Sequence, residues 1–272
     1  MARFSPDHAQ RAETSHPKER KLTALMNGKV AMLTGAARER GIGLATAKLL
    51  VAHGARVAVL DLDEEDLRTA GKTLGSDHLA VRCDVTDPAA CQAAVTEVIR
   101  RFGRIDVLIN NAGLTQRRRV MEVSPEDFEL VTNVVLRGAL YMSQAVIPSM
   151  KEHGGGSIVC VSSMSAQQGG GVFGGTHYCA AKAGVLGLAK AMAKELGPDN
   201  IRVNSITPGL IDTDFSRGAN PESAKFELAK SFPLRRIGQP IDIAGVCLFL
   251  ASELSSFMTG ATLDVNGGAH IH

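Results

Sequence analysis

One rhythm constrains the fold more than any other feature of the sequence. From residue 28 onward a short apolar run is followed by a longer stretch with helical spacing, and the pair recurs along the chain. The runs fall at residues 30–34, 57–60, 79–81, 105–110, 158–161, 201–206 and 262–265. They are rich in Val, Ile and Leu and nearly continuous rather than alternating, as strands covered on both faces of a parallel sheet read. Helical patterns lie between them at 42–53, 64–74, 89–102, 125–151, 178–196 and 242–252. This alternation predicts an α/β architecture: a doubly wound, seven-stranded parallel sheet with helices on both faces and right-handed crossovers. No Pro-, Gly- or Ser-rich linker splits the pattern, so a single domain is expected over residues 27–272.

Residues 1–26 are polar, carry Pro6 and Pro17, and lack the apolar centre of a secretory signal, so a flexible N-terminal arm is expected there. No apolar run approaches the roughly 20 residues of a membrane helix, and no membrane partner is expected. The formal net charge of +2 lacks the basic excess of a nucleic-acid binder. The five cysteines, Cys83, Cys91, Cys160, Cys179 and Cys247, form no CxxC pair. Neither a metal site nor a disulfide framework is expected, and reduced thiols fit a cytoplasmic protein.

Chemistry should sit just beyond the carboxyl ends of the strands. After the first run comes Thr34-Gly35-Ala36-Ala37-Arg38-Glu39-Arg40-Gly41-Ile42-Gly43, opening a helix. Glycines let backbone approach a pyrophosphate, and a helix N-terminus offers free N–H groups and a positive dipole end. Asp61 ends the second run, eighteen residues after Gly43. A carboxylate there accepts both hydroxyls of an adenosine ribose and repels a 2′-phosphate, which favours NAD; Arg38 and Arg40 keep NADP open, since either could pair with that phosphate. Asp84 and Val85 follow the third run, where Asp84 could meet an adenine amine. Asn111, Ala112 and Gly113 follow the fourth. Together these features describe a single-domain Rossmann fold that holds a dinucleotide.

A second group lies later in the chain. Tyr178 and Lys182, four residues apart at the start of a helical pattern, share one helix face. A free tyrosine titrates near ~10. A nearby ammonium lowers that value and lets the phenol exchange a proton with an alcohol while hydride moves at a nicotinamide. Ser163, at the end of the fifth run, could hold the substrate oxygen.

These pieces in this order, with Pro208-Gly209-Leu210-Ile211-Asp212-Thr213, Arg236-Ile237-Gly238-Gln239-Pro240 and Asp264-Val265-Asn266-Gly267-Gly268, resemble the short-chain dehydrogenase/reductases from residue 28 to 268. Polyol dehydrogenases and 3-oxoacyl carrier-protein reductases are the members in view. The resemblance implies a secondary alcohol or ketone substrate, with Ser163, Tyr178 and Lys182 catalytic. It implies that Tyr178 and Lys182 also touch the cofactor, and that Pro208, Gly209, Ile211 and Thr213 line the nicotinamide. It implies a homotetramer built on helices near 139–150 and 183–195, and a substrate lid near 214–232. Two departures stand out. Five residues separate Gly35 from Gly41, where three are usual, and Val135 stands where the family has an asparagine that helps hold the lysine. Asn133, two residues away, should face another side of the helix. A cofactor-binding protein of weak turnover is therefore a third reading. Gln167, Gln168 and His177 could bond a polyol. The triplet Arg117–Arg118–Arg119 could attract an acyl carrier. His270 and His272 could bind a metal or form a tail lying on a neighbouring subunit.

Overall fold

The computed structural model describes residues 24–170, 174–214 and 222–272, with side chains undescribed at 222–225. Most of the expected arm lies outside these residues. Its last residue does not behave as an arm: Met26 is fully buried. Among the described residues there are seven strands: β1 (Val30–Thr34), β2 (Arg56–Asp61), β3 (Leu79–Arg82), β4 (Val107–Asn110), β5 (Gly156–Val161), β6 (Ile201–Pro208) and β7 (Thr262–Val265). All pair in parallel, in the order β3-β2-β1-β4-β5-β6-β7. The winding reverses between β1 and β4, which opens a crevice at their carboxyl ends.

Helices cover both faces. On one lie α1 (Ile42–Ala52) and α9 (Pro240–Ala251), packing Leu44, Leu50, Ile243 and Leu250 onto the sheet. On the other lie α3 (Pro88–Phe102), α5 (Gly138–Glu152) and α7 (Thr176–Leu196), with Val98, Met142, Met150 and Val185 inward. Local chemistry sets several starts. Asp63 caps α2 (Glu64–Leu74) by accepting from the amides of Glu65 and Asp66, and Asp87 caps α3 ahead of Pro88. Ser124 caps α4 (Pro125–Thr132) ahead of Pro125. Side-chain oxygens there satisfy amides that a first helical turn leaves unpaired.

The single helix expected over 125–151 is three pieces. Between α4 and α5 the chain makes a wider, π-type turn over Asn133–Arg137, where the Gly138 amide donates to Asn133 O. Such turns recur at functional sites. Gly138, which ends the turn, packs so closely that a Cβ there would lie 2.7 Å from Val85 Cγ2. By length and composition Pro125–Glu152 could also cross a bilayer, against the expectation of no such run; here Met142, Val146 and Met150 are fully buried in the core. Two short helices complete the set, α6 (Ser165–Gln168) and α8 (Glu222–Ala229). Of the expected lid, 215–221 lie outside the described residues.

The opposite end of the sheet is tied by one carboxylate. Asp106, 3% exposed, accepts from the Val30 amide (2.9 Å), Arg104 Nε (3.1 Å) and Arg104 Nη2 (2.6 Å). Its own carbonyl takes the Ser157 amide, so it joins β1, β4 and β5. Asp106→Ala should orphan these donors and cost about 3 kcal/mol, read as a lowered midpoint in denaturant unfolding. An unchanged midpoint would show that Asp106 contributes nothing there.

Candidate active site

A cleft of about 850 Å³ runs along the carboxyl ends of the strands. Its floor is the junction of β1 with β4. Asn111 Nδ2 donates to the carbonyls of Thr34 (3.0 Å) and Gly35 (2.7 Å), and Thr34 Oγ1 accepts from the amides of Asn111 and Ala112. Gly35, at φ 59°, presses so closely here that a Cβ would lie 2.7 Å from Ala112 Cα. The N-cap of α1 is Gly41, with no side chain to occupy the first free amides, and Gly41 and Ile42 line the cleft. Bare backbone donors at a helix start suit a pyrophosphate. Gly43 does not line the cleft as expected; it lets α1 pack, since a Cβ there would meet Ala36 Cα at 2.5 Å.

The far end from α7 is acidic. Asp61 lines the cleft beside Asp63 and Arg38, and its Oδ2 accepts from the Ala37 amide at 3.1 Å. Burial first, then Asp63, raise the carboxyl of Asp66 above the usual range, with Asp61 adding to the effect. Three carboxylates therefore make this corner negative. Arg38 Nε lies 4.0 Å from Asp66. Arg40, expected to be a possible phosphate partner, instead donates to Asp212 at 2.8 Å, bridging the glycine turn to the segment after β6. Asp84 and Val85 line the same end, and Asp84 Oδ1 is taken by the amide and hydroxyl of Thr86.

At the other end Ser163, Tyr178 and Lys182 line the cleft together, with Gly113 beside them. The helix starts at Thr176, so Tyr178 sits in its first turn, 7% exposed. Ser163 hydrogen-bonds Tyr178 and accepts from the Ser165 amide at 3.1 Å. Lys182 Nζ lies 5.9 Å from the Tyr178 ring centroid and donates to Val161 O at 2.7 Å. In this enclosure the phenol's pKa lies above its ordinary value, not below it as expected. Burial dominates and pushes Tyr178 up to about 12, with the Ser163 bond acting against it. Burial likewise pushes Lys182 down to about 8. Val135 is buried, its Cγ2 3.9 Å from where a Gly113 Cβ would stand. Asn133 does not replace an asparagine there; its Oδ1 accepts from Arg137 at 2.8 Å.

This cleft has counterparts. The profile of the family described as Enoyl-(Acyl carrier protein) reductase matches residues 35–270. An uncharacterised short-chain type dehydrogenase/reductase of Sinorhizobium fredii is 51% identical, over 91% of this chain and all of its own length. A 3-oxoacyl-[acyl-carrier-protein] reductase of Thermotoga maritima is 41% identical, over 89% of this chain and 98% of its own. A crystal structure of a protein assigned as a short-chain alcohol dehydrogenase of Sinorhizobium meliloti superposes with a TM-score of 0.84 at 32% identity, covering 90% and 98% of the two chains. The chain belongs to the short-chain dehydrogenase/reductase family. It is an oxidoreductase of that type.

Against that family background, Pro208, Gly209, Ile211 and Thr213 line the cleft after β6, and Asn111, Ala112 and Gly113 line it after β4. The substrate end differs from expectation. Gln167 is tied to Asp264 and His272 rather than to the cleft. His177 is buried, lies 3.0 Å from Gln116 Oε1, and is held below its usual pKa by burial. Only Gln168 of the three expected polar groups faces the cleft, among Leu114, Val134, Met164, Leu228 and Phe232. The arginine triplet is exposed, and Arg118 pairs with Asp127 at 3.3 Å. Among the described residues no group of three His, Cys, Asp or Glu side chains is placed to hold a metal ion. Phe232 falls at the end of the expected lid, whereas Val134 carried no sequence signal beyond apolarity.

Arg40 and Asp212 are each more than a third exposed, which limits their pair to under about 1 kcal/mol. Arg40→Ala should therefore weaken binding of a reduced dinucleotide by about threefold, read by fluorescence titration. Tighter or unchanged binding would show that the bridge does not organise the mouth.

Proposed function

We propose that the protein interconverts neutral secondary alcohols and their ketones using NAD. The observation that carries this reading is the convergence of Ser163, Tyr178 and Lys182 at one end of a cleft whose other end carries the carboxylate of Asp61. Glycine backbone at Gly35 and Gly41, with the Ile42 amide, holds the pyrophosphate. Asp61 holds the adenosine ribose, with Arg38 at its edge, and Asp84 and Val85 flank the adenine. Asn111, Ala112 and Gly113 bound the middle, where Lys182 reaches the second ribose. Pro208, Gly209, Ile211 and Thr213 bound the nicotinamide. When bound, that group supplies or accepts the hydride.

The chain's own residues handle the proton. Ser163 holds the carbonyl oxygen, and Tyr178 gives its phenolic proton to that oxygen as the carbonyl carbon is reduced. A buried phenolate results, and the neighbouring Lys182 ammonium stabilises it. Burial keeps the resting phenol protonated, which suits it to donate. The apolar part of the lining, Leu114, Val134, Met164 and Phe232, favours an apolar body on the substrate, beside the polar Gln168 and Ser231. The proposal includes a cytoplasmic homotetramer; exposed Phe128 and Leu130 on α4 provide apolar area for association.

A second reading, a 3-oxoacyl carrier-protein reductase using NADPH, draws on the relative named for that activity and on the exposed arginine triplet. The negative corner at Asp61, Asp63 and Asp66 argues against a 2′-phosphate. The third reading, a cofactor binder of weak turnover, rests on Val135.

Lys182 is charged below a pH of about 8 and loses its charge above it. Ketone reduction should be fastest below pH 8 and fall as pH rises through that value. Lys182→Met should remove this step, and Tyr178→Phe should lower kcat by at least about a hundredfold. Retained turnover in Tyr178→Phe would sink the enzymatic assignment of this tyrosine. Asp61→Ala should lower the NAD over NADP preference in kcat/KM by about tenfold or more. A wild type that oxidises only NADPH with an acetoacetyl thioester would select the second reading.

A further inference from the structure

The chain's last residues, 267–272, are not used by the reading above, yet they return to the cleft. Two glycines at positive φ, Gly267 (68°) and Gly268 (82°), turn the backbone after β7. Asn266, 8% exposed, fixes that turn: its Oδ1 accepts from the Gly268 amide at 2.8 Å and its Nδ2 donates to His270 O at 3.0 Å. Gly268 and Ala269 then line the cleft's substrate end.

The same tail carries the segment that follows α8. The Leu234 amide donates to Gly267 O at 3.1 Å. The ring of Pro233 lies on Gly268, where a Cβ would come within 2.6 Å of Cγ. Ala269 packs against a small apolar cluster of Leu210, Ala229, Phe232 and Ile237, apart from the two cores that cover the sheet. Phe232 and Leu210 also line the cleft. At His272 a clasp closes the strap onto α6, just after Ser163. Gln167 Nε2 donates to Asp264 Oδ1 at 2.9 Å, and His272 Nε2 lies 3.1 Å from Asp264 Oδ2. Thr207 holds the same carboxylate.

We propose that residues 267–272 form the specificity-determining wall of the substrate end: a strap from β7 to α6 that seats the segment 228–234 and limits the bulk of the apolar group on the reacting carbon. This rests on the reading of the cleft as a site for secondary alcohols and ketones. Ala269 is the gauge, because it is the strap side chain that both faces the cleft and packs on Phe232. Gln167 and His272 are positioning residues that act through the strap.

The test uses the full-length protein and two readouts. With a series of 2-ketones from propan-2-one to octan-2-one, Ala269→Leu should raise KM for octan-2-one relative to propan-2-one by about tenfold, as a few buried methylenes are worth. A ratio unchanged within twofold overturns the wall. Independently of any turnover, the double variant Gln167→Leu with His272→Ala should speed hydrogen exchange at the Leu234 amide several-fold. Unchanged exchange overturns the clasp. Should the wild type reduce none of these ketones, the proposed substrate class fails, while the exchange measurement still decides whether the strap is held as described.

Discussion

The site depends on how β1 is joined to β4. At that junction the sheet changes direction of winding, and the crevice it leaves would be an ordinary gap unless the backbones on either side were fixed. One amide side chain does most of the fixing. Asn111 gives both hydrogens to the carbonyls of Thr34 and Gly35, and Thr34 Oγ1 accepts from two amides of the facing segment. Carbonyls and amides satisfied in this way hold position just beyond the end of the β1–β4 ladder. The glycine turn is thereby presented as bare backbone, and Gly113 is held beside Lys182.

Burial governs the chemical end. The pair Tyr178 and Lys182 is enclosed by apolar neighbours, and low polarity penalises the charged form of each group. The phenol is held protonated and the amine is pulled toward neutrality. Lys182 keeps one firm partner, the carbonyl of Val161. A carbonyl fixes the direction of the ammonium without neutralising it, so its charge stays available to a phenolate formed next to it. Ser163, bonded to Tyr178, completes a group whose members are positioned by two elements: the segment just after β5 and the first two turns of α7.

Much of this was legible in the sequence. Continuous apolar runs gave strands in parallel because both sheet faces are covered, and the four-residue spacing of Tyr178 and Lys182 needed only a helix to bring them together. Asp61 was readable from its place at the end of the second run. Other features were not, for physical reasons. The balance between burial and an adjacent charge at Tyr178 depends on enclosure by distant residues. The partner of Arg40 lies 172 positions away, and the seating of Gln167 on Asp264 joins segments 97 apart. The packing of Gly43 against Ala36 is likewise invisible in one dimension, where motif and packing glycines are alike.

The widened turn at Asn133–Arg137 has a consequence for how this protein can vary. An α-helix advances about 100° per residue, and the extra residue offsets the buried face of α4 from that of α5. Within the turn Val135 is the buried side chain. Losing one residue would straighten the segment and swing one half's apolar face toward solvent. The stretch is therefore strict in length, and insertions or deletions should be tolerated less here than in the surrounding loops.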